Sequence, residues 1–168
     1  MSEEIKILNL MFPNGEASEK DVEEVEKYGI DSKVVLQELE RKLAKLKGKE
    51  VKARLYIYTK SRDYYVEIIP PPVADVLLWK AGVKEPSGDP AHKKVGDISL
   101  ESLAEVAISL KDELKAKTLR AAVKSLLGTA RSIGLTVNGK DPKDVSKELE
   151  SGTHDELLEK YAKEYELA

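Results

Sequence analysis

TLRAAVKSLLGTARSIG, residues 118–134, reads as one long capped helix around which the C-terminal half can be built. Thr118 is a good N-cap and Gly134 a good C-terminal stop, and between them apolar residues recur at three- and four-residue steps. Leu119, Ala122, Val123, Leu126, Leu127, Ala130 and Ile133 share one face of the predicted helix. The opposite face carries Ser125, Gly128, Thr129 and Ser132, flanked by Lys124 and Arg131. A glycine inside a helix costs roughly 1 kcal/mol relative to alanine, so its presence needs a reason. Two arrangements supply one. Either a second helix packs closely on the small residues, or a sugar-phosphate backbone approaches them, with hydroxyls and cations alongside.

Helices are predicted on both sides of this segment. Upstream, Ser99 caps a stretch with Leu100, Leu103, Val106, Ala107 and Leu110 on one face, while 74–81 forms a shorter helix that holds Trp79 and stops at Gly82. These predict a three-helix bundle over 73–140. Downstream, Asn138-Gly139 turns the chain, and Asp141-Pro142 supplies an N-cap and an N1 proline for a further helix. Thr153-His154-Asp155-Glu156 has the form of a capping box for a last helix over 155–165. Residues 141–168 thus read as an acidic helical extension. Between the first two bundle helices runs a polar loop, VKEPSGDPAHKKVGDI (83–98), shaped by Gly88, Pro90 and Gly96 and bearing Lys93-Lys94 at its tip. It lacks the spacing of a P-loop.

Pro70-Pro71-Pro72 cannot continue a central strand and reads as a semi-rigid linker. Ahead of it, residues 1–69 read as an α/β unit. Ile5, Ile7 and Leu10 suggest a strand running into the Pro13-Asn14-Gly15 turn. SEKDVEEVEKY (18–28) is predicted as a short acidic helix capped by Ser18, with Val22 and Val25 inward. A stronger helix spans 32–47, with Val35, Leu36, Leu39, Leu43 and Leu46 on one side and Gly48 as its stop. VKARLYIYT and YYVEII alternate around Lys60-Ser61-Arg62-Asp63, a hairpin signature. The fold class is therefore α+β: a three-stranded sheet with helices, a proline linker, and a helical bundle with its extension.

The 168 residues carry 28 basic and 31 acidic side chains, net −3, and the charge is segregated. It runs −1 over 1–70, +3 over 71–140 and −5 over 141–168. A mildly basic middle suits a polyanion-binding module. The absence of cysteine excludes disulfides, thiolate nucleophiles and cysteine zinc sites. His92 and His154 lie far apart, so neither a metal nor another cofactor is expected, and Glu23-Glu24 reads as solvated surface rather than an acid–base pair. Tyr56, Tyr58, Tyr64 and Tyr65 could stack bases, but no basic aromatic motif accompanies them, so cross-strand packing is expected. No apolar run approaches the roughly 18 residues of a membrane span, and no basic n-region opens the chain. A soluble, cytoplasmic protein that is not an enzyme is the expectation.

From Leu77 to Val137, SGDPAHKKVG (87–96), KAKTLRAAVKSLLGTARSIGLTV (115–137) and the preceding prolines resemble the large-subunit ribosomal protein of the L-eleven family. SGDPAHKK and the acidic tail resemble its archaeal branch. The resemblance implies an α/β N-terminal domain and a three-helix C-terminal domain. The latter binds the large-subunit rRNA of the GTPase-associated centre, beside the ribosomal stalk-base protein and, transiently, translational GTPases. It places the protein on the large subunit of the cytoplasmic ribosome, with no membrane partner and no cofactor. Carried onto this chain, the RNA-facing residues would be Ser87, Gly88, Pro90, Lys93, Lys94 and Gly96 in the loop. On the helix they would be Lys124, Gly128, Thr129, Arg131, Ser132 and Gly134. The front half departs from the family: a glycine- and proline-rich segment is replaced by ASEKDVEEVEKYG (17–29), acidic and without proline. Phosphate repels such a segment, so it is expected to face solvent or a basic protein surface. The alternative reading is a divergent paralogue, a protein-interaction adaptor that works through that helix.

Overall fold

The computed structural model describes residues 4–168, the side chain of Lys45 excepted. The chain divides into two compact units, Met1–Pro71 and Pro72–Ala168.

In the first unit β1 (Ile5–Phe12), β2 (Val51–Tyr58) and β3 (Asp63–Ile69) form an antiparallel sheet in that order, with β2 central. Alternation along β2 sends Val51, Ala53, Leu55 and Ile57 into the core, and Lys52, Arg54, Tyr56 and Tyr58 to the other face. Tyr56 lies opposite Tyr65 with ring centroids 6.1 Å apart, so these tyrosines pack across strands.

The acidic segment departs from a single helix. Ser18 and Asp21 form a capping box that opens α1 (Glu19–Val22), but Glu23–Tyr28 is a 3₁₀ helix. Its inward residues, Val22 and Val25, are spaced by three, and a 3₁₀ helix keeps such residues in line where an α-helix rotates them apart. Both are fully buried. α2 (Ser32–Leu43) is capped by Asp31, buries Val35, Leu39 and Leu43, and likewise tightens to 3₁₀ over Ala44–Leu46. There the chain is tied to the first turn, Gly48 N donating to Asn14 O at 2.7 Å.

The second unit contains α3 (Val73–Lys80), β4 (Gly96–Ile98), α4 (Leu100–Ser109), α5 (Lys111–Leu114), α6 (Leu119–Ile133), β5 (Leu135–Val137), α7 (Pro142–Glu150) and α8 (Asp155–Leu167). α6 is central: α3, α4, α7 and α8 all pack on it. Caps form locally, as Ser99, Thr118 and Asp141 accept from Ser102 N, Ala121 N and Lys143 N. The parallel pair β4–β5 was not expected inside a three-helix bundle. Strands of three residues are too short to show alternation, and this pair is fixed by distant groups. Asp97 Oδ1 accepts from Thr136 Oγ1 (2.6 Å) and Gly139 N (2.8 Å), and Asn138 Oδ1 accepts from Leu100 N (3.0 Å).

The extension is packed into this unit. Val145, Leu149, Leu158, Tyr161 and Tyr165 are buried. Tyr161 donates to Glu101 at 2.7 Å, and Lys111 Nζ donates to Tyr165 O at 2.8 Å. The capping box expected at 153–156 does not form: His154 occupies the N-cap without a side-chain cap bond. Glu148 accounts for this, because its carbonyl accepts from Thr153 N (3.0 Å) while its carboxylate lies 3.0 Å from His154 Nε2.

Tyr64, on the core-facing side of β3, has its hydroxyl pushed up to about 12, first by burial and then by the neighbouring Glu38 carboxylate. Its neutral form is thus favoured in the folded state. The stabilisation is complete below pH 10, the ordinary tyrosine value, and is lost as pH rises towards 12. Denaturant titrations between pH 9 and 12 should show a shallower loss of first-unit stability in Tyr64→Phe than in the wild type.

Candidate nucleic-acid interface

The apolar face of α6 is buried as its periodicity requires. On the other side Ser125, Gly128, Arg131 and Ser132 are exposed, and Lys124 and Thr129 partly so. A Cβ built on Gly128 meets nothing within 4 Å. Close helix packing is therefore not what its small size serves within this unit. Thr129 and Ser132 donate to the helix's own carbonyls, Ser125 O (3.4 Å) and Thr129 O (2.7 Å). Their oxygens retain lone pairs that can accept from outside.

The loop is shaped by its own backbone. His92 N and Lys93 N both donate to Asp89 O (3.1 and 2.7 Å), while Ser87 Oγ donates to Lys93 O (2.6 Å) and accepts from Asp89 N (3.1 Å). Two further bonds fasten it to the end of α6: Ser87 N to Ile133 O (3.0 Å) and Val95 N to Gly134 O (2.8 Å). Lys93, Lys94, Gly88 and Pro90 are thereby carried beside the C-terminal half of the helix.

Two glycines expected to face RNA are crowded by neighbouring chain, Gly134 being buried and Gly96 half-buried. Gly134 is buried at φ +86°, and a Cβ there would stand 2.5 Å from Ser87 Cβ and 3.3 Å from Lys93 O. A Cβ on Gly96 would stand 2.5 Å from Val83 Cγ2 and 3.3 Å from Leu135 Cδ2. Both are small because neighbouring chain passes over them, which loop composition does not reveal.

The cations around this face differ in their engagement. Lys93 is exposed and has no ion-pair partner among the described residues. Lys94 Nζ donates to Pro90 O (2.9 Å) and lies 3.9 Å from Asp141, which is also 3.7 Å from Arg131. Lys124 is paired with Glu150 at 2.5 Å. Arg120, not among the sequence candidates, is paired with Asp155 at 2.6 Å and also donates to Leu149 O. Its signal was the acidic composition of 141–168, which needed a basic neighbour. His92 is exposed with Asp89 3.2 Å from its Nδ1, and among the described residues no group of three or more His, Asp or Glu is placed to hold a metal. Nor is any described helix long and apolar enough to cross a membrane.

Residues 69–137, which contain the loop and α6, match the family described as "Ribosomal protein L11, RNA binding domain". The class is thus that of ribosomal RNA-binding proteins. The large ribosomal subunit protein uL11 of Sulfolobus acidocaldarius is 44% identical over 137 residues, which span 82% of this chain and 81% of that protein. That of Desulfurococcus amylolyticus is 43% identical over 138 residues, with the same coverage. A chain in "The structure of the transition state analogue "DAA" bound to the large ribosomal subunit of Haloarcula marismortui" overlaps 40% of this chain and 97% of its own length, at 31% identity and a TM-score of 0.39, too low to bear on the fold. The chain belongs to the uL11 family of large ribosomal subunit proteins, whose members are ribosomal constituents and not enzymes.

The two glycine environments, Gly128 in mid-helix and Gly134 at the end of α6, make opposite stability predictions. Gly128→Ala should stabilise the second unit by up to about 1 kcal/mol, since it adds helix propensity and meets open space. Gly134→Ala should destabilise it by more than about 1 kcal/mol, through backbone strain and collision with Ser87. Urea titration of both variants checks the pair. Destabilisation by Gly128→Ala would reveal a packing role for that residue.

Proposed function

We propose that this protein binds the large-subunit rRNA of the GTPase-associated centre at the stalk base and supports translation-factor function there. The face that does so is the outer side of α6 with the loop fastened to its end. Gly128, Thr129, Arg131 and Ser132 form the helix part, and Ser87, Gly88, Pro90, Lys93 and Lys94 the loop part. The observation that carries this reading is Gly128, which is exposed in mid-helix with open space before it. Its cost in helix propensity is offset if an RNA backbone comes close to the helix there. RNA minor grooves are wide and shallow and are read through 2′-hydroxyls and phosphates. Helix hydroxyls can accept from the former, and Lys93, Lys94 and Arg131 can neutralise the latter. The ribosomal stalk-base protein and the translational GTPases are the neighbours this site implies. The GTPases bring their own catalytic groups.

The first unit's acidic segment takes no part in this contact. Glu19, Glu23 and Glu24 are exposed while Val22 and Val25 fill the core. At a Debye length of about 8 Å these charges are felt by whatever docks beside them. Solvent or a basic protein surface suits them. That exposed acidic row is also what favours the second reading, a protein-interaction adaptor. Stoichiometric co-sedimentation with large subunits separates the two.

The full chain should bind a fragment of the GTPase-associated rRNA with an affinity that falls as salt rises, because bound cations displace counterions. Gly128→Val should lower that affinity tenfold or more, about 1.4 kcal/mol, with its unfolding transition intact. Salt-independent binding, or full affinity in the valine variant, would sink the reading. A triple variant Glu19→Gln, Glu23→Gln, Glu24→Gln, which spares Asp21 for its capping box, should bind the RNA as well as the wild type or slightly better. A clear loss in that variant would place the segment on the RNA.

A further inference from the structure

α7 lies antiparallel along one flank of α6. Asp141 at its start meets Arg131 (3.7 Å), and Glu150 at its end meets Lys124 (2.5 Å), with Asp155 reaching Arg120 (2.6 Å) one turn further along α6. Val145 and Leu149 bury the inner side of α7 and Asp141 caps it, which holds the backbone that carries Asp141 and Glu150 along α6. All three carboxylates lie beyond residues 69–137, the stretch that matches the RNA-binding domain.

The pairing is graded along the helix. Near the loop it is loose, at 3.7 and 3.9 Å, so Arg131 and Lys94 give up little on meeting a phosphate. At the other end it is tight. The pair lies at the surface, with the Lys124 side chain 39% and that of Glu150 63% exposed, and the hydrogen bond and charge of Lys124 hold the Glu150 carboxyl below the usual carboxylate range.

Resting on the RNA reading above, we propose that Glu150 acts as an internal stand-in for phosphate. It keeps Lys124 out of the RNA contact and confines the footprint on α6 to Gly128, Arg131 and the loop. The extension is thus a specificity element. It sets how many α6 cations meet RNA, and so how much of the affinity is sequence-blind charge attraction.

The test uses the full chain and a GTPase-associated rRNA fragment, titrated at several salt concentrations. Glu150→Gln should raise affinity about two- to fivefold, the worth of one exposed ion pair. It should also steepen the logarithmic salt dependence by nearly one, the signature of one added phosphate contact. Lys124→Gln should change affinity by less than about twofold in the wild type, and return Glu150→Gln to the wild-type value. The Glu150 side chain is 63% exposed, so folding is not at stake. Unchanged or lower affinity in Glu150→Gln would overturn the proposal, and so would a gain that survives in the double variant, since that gain would be general charge. Failure of the wild-type chain to bind in a salt-dependent way would instead overturn the RNA reading itself.

Discussion

The left-handed turn at Gly134 is the constraint on which the candidate interface depends. It ends α6 and leaves the carbonyls of Ile133 and Gly134 to accept from Ser87 and Val95, the two ends of the lysine-bearing loop. The loop can pass this close because no Cβ stands between Gly134 and Ser87. Ordering a loop of this size on binding would cost conformational entropy. Here that ordering is part of folding, so the cations of loop and helix are already side by side.

Local side-chain chemistry was legible in the sequence because it acts over two or three residues. Ser99, Thr118 and Asp141 cap the helices they precede, and the buried face of α6 follows its periodicity. The hairpin signal was equally plain, although the four-residue turn begins at Thr59, since Tyr58 pairs with Asp63. Features that depend on distant chain were not legible. The β4–β5 pair joins residues about forty positions apart. The box at Thr153 yields to Glu148, a residue whose reach no motif records.

The same division holds at the site. The small-residue stripe, the lysine pair and their flanking cations could be picked out by residue type. Which glycines stand open and which are covered could not, because Gly96 and Gly134 are decided by Val83 and Ser87. Charge segregation was visible as a net +3 next to a net −5. Folding turns that sequential contrast into contact, with the extension's carboxylates lying on α6's basic flank. The second unit is thus less uniformly basic at its surface than residues 71–140 are in sequence.

The two-stranded parallel ladder also has a consequence for the order in which the second unit is expected to assemble. Its strands bracket α4, α5 and α6, and closing a chain segment of about forty residues is unfavourable until those helices have docked. Closure entropy therefore favours a ladder that forms late, together with Asn138's bond to Leu100 and the turn from which α7 departs. Synthesis proceeds in the same direction, so α6 exists before its acidic neighbour does. Until α7 arrives, Lys124 and Arg131 are cations without their folded-state counterparts. The bare helix is the most strongly charged form of this surface that the chain passes through.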